Sequence, residues 1–276
     1  MEIRYLPDPQ RFARMTTKEL RAAFLVGHLF EPDQVHMLYS NPDRAVLGAG
    51  IPGKETLTLK VDRAIASDFF LQRREMGIVN LGAAGRISID GQSYDLARLD
   101  MLYVGRGARA VVLQSIDPSN PAEFYWQSYP AHRECPTTLM PASAARQVPL
   151  GDPEHANRRT IFQYIRPGLV DSCQLVMGVT ILEPGSVWNT LPAHTHERRS
   201  EIYLYFGLPD DGRVFHLLGS AAESRHLVVK NKEAVLSPSW SMHAGGGSTS
   251  YSFVWGMGGE NQEFDDMDFI PLSKMN

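Results

Sequence analysis

Four side chains of metal-ligand type constrain the fold of this 276-residue chain more than any other feature. His194 and His196 are separated by one residue, Glu201 follows them, and His243 comes much later in the sequence. Because side chains alternate between the two faces of a strand, the first two imidazoles point the same way. Glu201 lies an odd number of positions beyond His196, so we predict a turn or bulge near residues 197–199. His243 must then come from a neighbouring strand of a closed sheet.

The constellation as a whole predicts a site for one metal ion. A lone pair of histidines in a strand is more often a packing or surface feature than a ligand pair. Here the pair precedes an acid at a suitable offset, and His243 follows a turn at residues 238–242, which together favour a metal centre. Three imidazoles and one carboxylate suit zinc, iron, manganese, nickel or cobalt.

This arrangement resembles the two sequence motifs of the cupin superfamily. In cupins, His-x-His and a later Glu form the first motif, and a Pro-x-Gly turn followed by His forms the second. Gly185 and Gly207 flank the first motif here and add to the match. Trp240 stands where cupins usually have glycine in the turn. That departure alters the loop beside the metal site and leaves the ligand set complete.

The rest of the chain is typical of an all-β protein. Segments such as residues 85–91 alternate polar and apolar side chains, and Gly, Pro and Asp-Gly turn signals recur at short intervals. One early helix is predicted from the capping-box pair Thr16 and Glu19, with apolar residues at helical spacing up to about Leu29. The Pro- and Ala-rich residues 130–153 are predicted to form a connector.

An internal repeat predicts two barrels. Residues 100–107 align with residues 233–240, and Glu75 aligns with Glu201. In this alignment Asp68, Phe70 and Ala110 take the places of the three histidines. We therefore predict a bicupin, two β-barrel or jelly-roll domains with a short N-terminal helix. Residues 1–150 form a barrel without metal, and residues 151–276 form the metal-binding barrel.

Charge and composition exclude several partners. The net charge of −4 comes without a basic patch, which argues against nucleic acid. The two cysteines, Cys135 and Cys173, lack metal-ligand spacing and fit a reducing compartment. With no targeting segment and no apolar run long enough to span a bilayer, we expect a cytoplasmic protein without a membrane partner. The sequence contains no Gly-rich dinucleotide-binding loop, so we do not expect a nicotinamide cofactor.

Longer strings resemble one family within the cupins, the 5-keto-4-deoxyuronate isomerases, also called 4-deoxy-L-threo-5-hexosulose-uronate ketol-isomerases. The strings run through nearly the whole chain, at residues 69–77, 157–161, 173–178, 194–199 and 259–268. The resemblance implies a zinc-containing hexamer that acts on a small uronate in pectin breakdown. It implies conversion of 5-dehydro-4-deoxy-D-glucuronate to 3-deoxy-D-glycero-2,5-hexodiulosonate, with one zinc ion held by His194, His196, Glu201 and His243.

The chemistry requires a cation and a base. A ketol isomerisation moves a proton between adjacent carbons through an enediolate, so a cation must face the oxygens and a base must carry the proton. The sequence leaves the base open. The catalytic candidates are Glu201, Arg198 and Arg199, and other possible bases are Glu260, Asp265, Asp266, Asp268, His216 and His226.

Substrate binding also remains open at this point. Arg158, Arg159, Arg198 and Arg199 are candidates for the substrate carboxylate, since a guanidinium binds it through two hydrogen bonds. Tyr203 and Tyr205 are expected to line the site or to fill the barrel. Two other functions use the same ligands: an Fe(II) dioxygenase, which would consume oxygen, and a sugar-binding cupin without turnover.

Overall fold

A computed structural model describes residues 1–276, which are organised almost entirely as β-strands. The prediction of an all-β chain is confirmed. The two α-helices are α1, Pro9–Phe12, and α2, Thr17–Phe24, and short 3₁₀ turns occur at Pro42–Arg44, Arg63–Ile65, Ala142–Ala144 and Leu272–Lys274. None of these helices has the length and apolar character needed to cross a membrane.

Twenty-three strands follow one another along the chain. The first twelve are β1 Glu2–Arg4, β2 Leu25–Val26, β3 Val35–Ser40, β4 Val46–Gly50, β5 Leu57–Thr58, β6 Arg74–Asn80, β7 Gly85–Ile89, β8 Gln92–Leu96, β9 Met101–Val104, β10 Val111–Ser115, β11 Phe124–Pro130 and β12 Thr138–Met140. The remainder are β13 Arg146–Leu150, β14 Arg159–Ile165, β15 Val176–Leu182, β16 Trp188–Thr195, β17 Arg199–Phe206, β18 Val214–Ser220, β19 Glu223–Val229, β20 Ala234–Ser237, β21 Met242–Gly247, β22 Ser252–Gly259 and β23 Asp268–Phe269.

The first compact unit contains residues 1–4, 28–145 and 164–176. It has a seven-stranded sheet in the order β1-β3-β4-β11-β6-β9-β12 and a four-stranded sheet in the order β5-β10-β7-β8. Its core joins buried side chains from both sheets, among them Trp126 and Leu102 from the larger sheet and Ile87 and Leu113 from the smaller one. Alternating inward residues from two sheets are typical of a jelly roll.

The second unit contains residues 5–27, 146–163 and 177–276. Its sheets run β13-β14-β15-β22-β17-β20-β2 and β19-β18-β21-β16-β23. The interior order β4-β11-β6-β9 of the first unit thus recurs here as β15-β22-β17-β20, and the predicted bicupin is confirmed. The domain boundary at residue 150 stays a prediction; residues 5–27 group with the second unit, and residues 164–176 with the first.

The strand register corrects one detail of the repeat. Val104 and Ser237 occupy equivalent positions in the alignment of residues 100–107 with residues 233–240. Met76 pairs with Val104, as Glu201 pairs with Ser237. Met76, a fully buried core residue, therefore stands at the place of Glu201. The alignment with Glu75 was wrong by one residue, and a shift of one residue places a side chain on the opposite face of its strand.

Glu75 has a structural role on that other face. Its Oε1 accepts hydrogen bonds from the backbone N–H groups of Gln174 at 2.8 Å and Leu175 at 2.9 Å. Its Oε2 accepts from the N–H of Cys173 and the hydroxyl of Tyr103, both at 2.7 Å. A fully buried carboxylate thus orders residues 173–175, which lie just before β15.

The predicted helix begins where expected and ends early. Thr16 accepts from the N–H of Glu19, whose carboxylate accepts from the N–H of Thr16, so the capping box is confirmed. The helix ends at Phe24 instead of near Leu29, because Leu25 pairs with Val235 as the edge of a sheet. Tertiary pairing of this kind overrides helical spacing in the sequence.

The short helix α1 was not predicted, although Asp8 before Pro9 is a recognisable start signal. Its Phe12 ring lies 5.3 Å from the ring of Trp240, and the ring of Phe24 lies 6.4 Å from it. The tryptophan that replaces the usual cupin glycine therefore packs against the N-terminal helices.

Two further sequence features have clear outcomes. The Asp90–Gly91 pair forms the turn between β7 and β8, with φ of 49° and 89°, as a two-residue hairpin requires. Residues 130–153 are more than a connector, because they contribute β12 to an edge of one sheet and β13 to an edge of another.

Candidate metal centre

The predicted turn within the first motif is present. His194 lies in β16 and His196 just beyond its end. The N–H of Arg199 then donates to the carbonyl of His196 at 2.9 Å, and β17 begins at Arg199. This turn changes the alternation of the chain, so Glu201 points toward the same space as the two histidines despite its odd spacing.

His243 reaches this space from β21, the strand adjacent to β16. His194 and His243 face each other directly in the ladder. The register of β16 shifts between Asn189 and His194, so the strand is irregular on the approach to the first motif. Such irregularities in a ladder redirect side chains toward a site.

The four side chains bring their donor atoms together. Nε2 of His194 lies 3.0 Å from Nε2 of His196 and 3.1 Å from Nε2 of His243. Oε2 of Glu201 lies 3.2 Å from Nε2 of His196 and 2.8 Å from Nε2 of His243. All four side chains are buried, and their ligand atoms lie within 4.8 Å of one another. The separations of 2.8 to 3.2 Å are short enough for the paired atoms each to be about 2 Å from a common point, which is the bond length of nitrogen and oxygen to zinc.

Hydrogen bonding within the cluster leaves the carboxylate oxygen Oε2 of Glu201 without a partner. Nδ1 of His196 lies 2.8 Å from the backbone oxygen of Asp266 and donates to it, which leaves a lone pair on Nε2. Oε2 of Glu201 is inaccessible to solvent, and neither of its approaches to an imidazole has hydrogen-bond geometry. A buried carboxylate oxygen without a hydrogen bond needs another positive partner. The cluster can therefore hold a metal ion.

Protonation states agree with this conclusion. Burial, followed by the neighbouring imidazoles of His243 and His196, lowers the pKa of His194 to about 2. Burial alone would raise the pKa of Glu201, but the facing imidazoles of His243 and His196 bring it below its usual value. A neutral imidazole and an ionised carboxylate are the forms that bind metal.

The C-terminal segment fixes the orientation of His196. The backbone oxygen of Asp266 accepts from Nδ1 of His196 and, at 2.9 Å, from Nη2 of Arg199. The Asp266 carboxylate is held by Nε of Arg198 at 3.1 Å and by Nδ2 of Asn261 at 2.6 Å. Hydrogen bonds to the outer nitrogen of a ligand histidine set its tautomer and ring orientation.

Arg198 and Arg199 therefore have definite positions. Arg198 also pairs with Asp268 at 2.9 Å, and its hydrogen bond lowers the pKa of Asp266. Arg199 is almost fully buried against His196. Both guanidinium groups hold the C-terminal segment, and neither lies on the wall of the cavity that opens beside the cluster.

This cavity has a volume of about 270 Å³. Its walls are mainly apolar and aromatic, from the side chains of Leu150, Ile161, Leu191, Pro192, Phe253, Trp255, Met257, Phe264, Met267 and Phe269. The polar lining consists of Arg159, Thr180, Thr190 and Tyr203, together with His194, His196 and Glu201 of the cluster. An apolar cavity with a few converging polar groups is typical of a site for a small molecule.

The lining separates the sequence candidates. Glu201 is its only carboxylate, so Glu260, Asp265, Asp266 and Asp268 lie elsewhere. His226 is exposed, and the fully buried His216 faces the hydroxyl of Tyr205 at 2.7 Å, away from the lining. Tyr203 lines the cavity and Tyr205 does not. The sequence analysis missed three wall residues, Phe264, Met267 and Phe269. Their spacing does not indicate which part of the protein the C-terminal segment contacts.

The fold and the cluster define a class of protein, a bicupin whose second barrel carries three histidines and one glutamate suited to a metal ion. Its sequence matches the model of the KduI/IolB family over residues 25–272, and the chain belongs to this family.

Close relatives match over their full length. A protein from Halalkalibacterium halodurans is 49% identical over 275 residues, one from Kineococcus radiotolerans is 52% identical over 278, and one from Escherichia coli is 45% identical over 277. In each case the match covers 100% of both chains, and each relative is named 4-deoxy-L-threo-5-hexosulose-uronate ketol-isomerase. The predicted family and the isomerase class are confirmed by these relatives.

Solved structures support the fold. An IolB-like protein from Salmonella typhimurium has a TM-score of 0.68 at 13% identity, covering 82% of this chain and 87% of its own. The oxalate decarboxylase of Lactobacillus farciminis has a TM-score of 0.57 at 10% identity, covering 83% and 80%. At such low identity these likenesses concern the fold alone.

Proposed function

We propose that this protein is a metal-dependent ketol-isomerase that converts 5-dehydro-4-deoxy-D-glucuronate, the 4-deoxy-L-threo-5-hexosulose uronate of its relatives' names, to 3-deoxy-D-glycero-2,5-hexodiulosonate. The observation that carries the proposal is the buried cluster of His194, His196, Glu201 and His243 at the wall of a small cavity. The relatives of that name, about half identical over the full length, support the choice of substrate.

The reaction is a balanced internal transfer. The aldehyde at C1 becomes a hydroxyl, and the hydroxyl at C2 becomes a ketone. One hydrogen leaves C2 and one is gained at C1, while the O2 proton is lost and O1 gains one. Because substrate and product are isomers, no nicotinamide and no oxygen enter the equation.

Zinc is the metal we propose, one ion per chain. When bound, it would stabilise the negative charge that develops on the adjacent oxygens O1 and O2. His194, His196, Glu201 and His243 would hold it, and the donor set fits because three imidazole nitrogens and one carboxylate oxygen lie close together in a buried cluster.

The chain's own residues supply the remaining requirements. Glu201 is the one carboxylate on the cavity wall, so it is the proposed carrier of the proton between C2 and C1. The hydroxyl of Tyr203 lies 3.5 Å from that of Thr190, and both are placed to orient sugar hydroxyls. Burial raises the pKa of Tyr203 well above its usual value, which keeps the phenol neutral and able to donate.

The direct experiment follows the isomer by NMR when purified protein meets the unsaturated-uronate product. We expect conversion without oxygen consumption, and deuterium at C1 when the reaction runs in heavy water and the base exchanges with solvent. Oxygen uptake that matches substrate loss would instead identify a dioxygenase. Unchanged substrate with zinc-loaded protein would refute the proposal.

The metal is tested separately by elemental analysis. We expect about one divalent ion per chain, most of which is lost in His243→Ala, while Phe70→Ala in the core of the first unit keeps it. Two ions per chain would contradict a first barrel without metal. Full turnover by verified metal-free protein would contradict metal dependence.

Assembly, pathway and location extend the proposal. We infer a hexamer that acts in pectin and uronate breakdown in the cytoplasm, on the resemblance described from the sequence. Light scattering measures the mass of the assembly, and cell fractionation measures the location. A monomer in solution would contradict the first of these inferences.

A further inference from the structure

Arg159 is the one guanidinium on the wall of the cavity. It begins β14, and its side chain is partly buried. Its Nη1 donates to the backbone oxygen of Asn157 at 2.8 Å, and no carboxylate pairs with it. Burial lowers the pKa of Arg159, yet an arginine remains cationic in a protein. Arg159 therefore brings a fixed positive charge to the cavity wall and has no ion-pair partner there.

The other candidate arginines are occupied. Arg158, the neighbour in sequence, is exposed and pairs with Glu183 at 3.3 Å. Arg198 pairs with acidic residues of the C-terminal segment, and Arg199 is buried beneath His196. Only Arg159 combines access to the cavity with a free guanidinium edge. A half-buried charge without a partner is costly unless a ligand supplies the opposite charge.

Tyr203 neighbours both Arg159 and the metal cluster. Its phenol lies close enough to Arg159 for the two to interact electrostatically. Its ring also lies 5.3 Å from the ring of His243. The guanidinium group and the cluster are thus two distinct polar groups on the wall of one cavity.

A uronate matches this division. Its carboxylate is at one end of a six-carbon chain, and the carbons that exchange a proton are at the other. With the reacting carbons facing the cluster, Arg159 is the one cationic side chain on the wall that remains for the carboxylate at the other end.

We propose that Arg159 binds the carboxylate of the substrate and thereby selects acidic sugars and fixes which end meets the metal cluster. This inference rests on the proposed function and deepens it. The planar guanidinium suits a carboxylate through two parallel hydrogen bonds, which a lysine does not reproduce.

The kinetic test uses Arg159→Gln, Arg159→Lys and the matched control Arg158→Gln. We expect Arg159→Gln to lower kcat/KM about 100-fold, mainly by raising KM, with Arg159→Lys in between, since hydrogen bonds to charged groups are among the strongest in proteins. Arg158→Gln should stay within about twofold, because its surface ion pair contributes little. Metal content should be unchanged in all three variants.

A substrate analogue separates binding from a merely structural role. The wild-type enzyme should prefer the free uronate over its uncharged methyl ester by about the factor lost in Arg159→Gln. The variant should convert acid and ester at similar rates. If Arg159→Gln keeps the wild-type preference for the acid, the proposal is wrong.

A binding experiment keeps this inference distinct from the proposed reaction. Trp255 lines the cavity, so its fluorescence reports binding without turnover. Wild-type and Arg158→Gln proteins should bind D-glucuronate more tightly than D-glucose, and Arg159→Gln should lose the difference. That result would support the carboxylate site even if no isomerisation were found. Equal binding of both sugars by the wild-type protein would overturn it.

Discussion

Glu75 offers a sharp test of how the first unit is stabilised, because its buried carboxylate accepts four hydrogen bonds. Three come from the backbone N–H groups of Cys173, Gln174 and Leu175, and the fourth comes from the hydroxyl of Tyr103. We predict that Glu75→Gln destabilises the protein by about 3 to 4 kcal/mol, and Tyr103→Phe by about 2 kcal/mol.

The magnitudes follow from the two carboxylate oxygens. In Glu75→Gln the amide oxygen can replace Oε1 and accept from Gln174 and Leu175. The amide nitrogen then faces the N–H of Cys173, so two hydrogen-bond donors meet. The N–H of Cys173 loses its acceptor. The variant loses one charge-assisted hydrogen bond, weakens the others and adds a desolvation cost of about 1 to 3 kcal/mol. Tyr103→Phe removes one bond and leaves three acceptor contacts intact.

Urea unfolding of both variants and of the double variant measures these terms. Because the two side chains share a hydrogen bond, the double variant should be less destabilised than the sum of the single variants by about 1 kcal/mol or more. Metal content serves as the control, since the cluster lies in the other unit and should be unaffected. A loss below about 1 kcal/mol in Glu75→Gln, or strict additivity, would refute the account of this anchor.

Three further predictions concern the second unit. Burial lowers the pKa of His216 to about 3, so below pH 6.5 the unfolded state takes up a proton that the native state does not. The stabilising effect is fully present above about pH 6.5, and the free energy of unfolding should fall by about 2 kcal/mol at pH 5. Urea unfolding should show a smaller loss in His216→Gln. Chelation should lower the thermal midpoint of the wild-type protein and zinc should restore it, whereas His243→Ala should respond to neither; equal responses of the two proteins would contradict the ligand assignment. A Cβ on Gly178 would lie 2.3 Å from Trp255, so Gly178→Ala should cost about 2 kcal/mol or more, while Gly27→Ala, with no contact closer than 3.4 Å, should be nearly neutral.

Local chemistry made several features predictable from the sequence. The capping box at Thr16 and the Asp90–Gly91 turn depend only on neighbouring residues, so both are where the sequence predicts them. The odd number of positions between His196 and Glu201 required a turn before Glu201, and that turn is present. β7 alternates between buried and half-buried residues, as the pleat of a strand requires.

Features that depend on pairing between distant segments were harder to predict from the sequence. Leu25 continues the helical spacing but leaves the helix because it finds a strand partner in Val235. The alignment of Glu75 with Glu201 looked reasonable in sequence, and only the ladder showed that Met76 holds the equivalent position. A shift of one residue in strand register moves a side chain to the opposite face of the sheet, and the local sequence does not indicate the register.

The sequence by itself determined the composition of the site: which side chains can bind a metal, and the spacing that lets two strands and a turn bring them together. It also determined the family, because identical strings extend along the whole chain. Tertiary structure alone decided which arginine faces the cavity. Arg158 and Arg159 are adjacent and chemically identical, but Arg158 is exposed and pairs with Glu183, whereas Arg159 lies on the cavity wall. That choice depends on where the sheet curves and what covers it, which are properties of the assembled barrel.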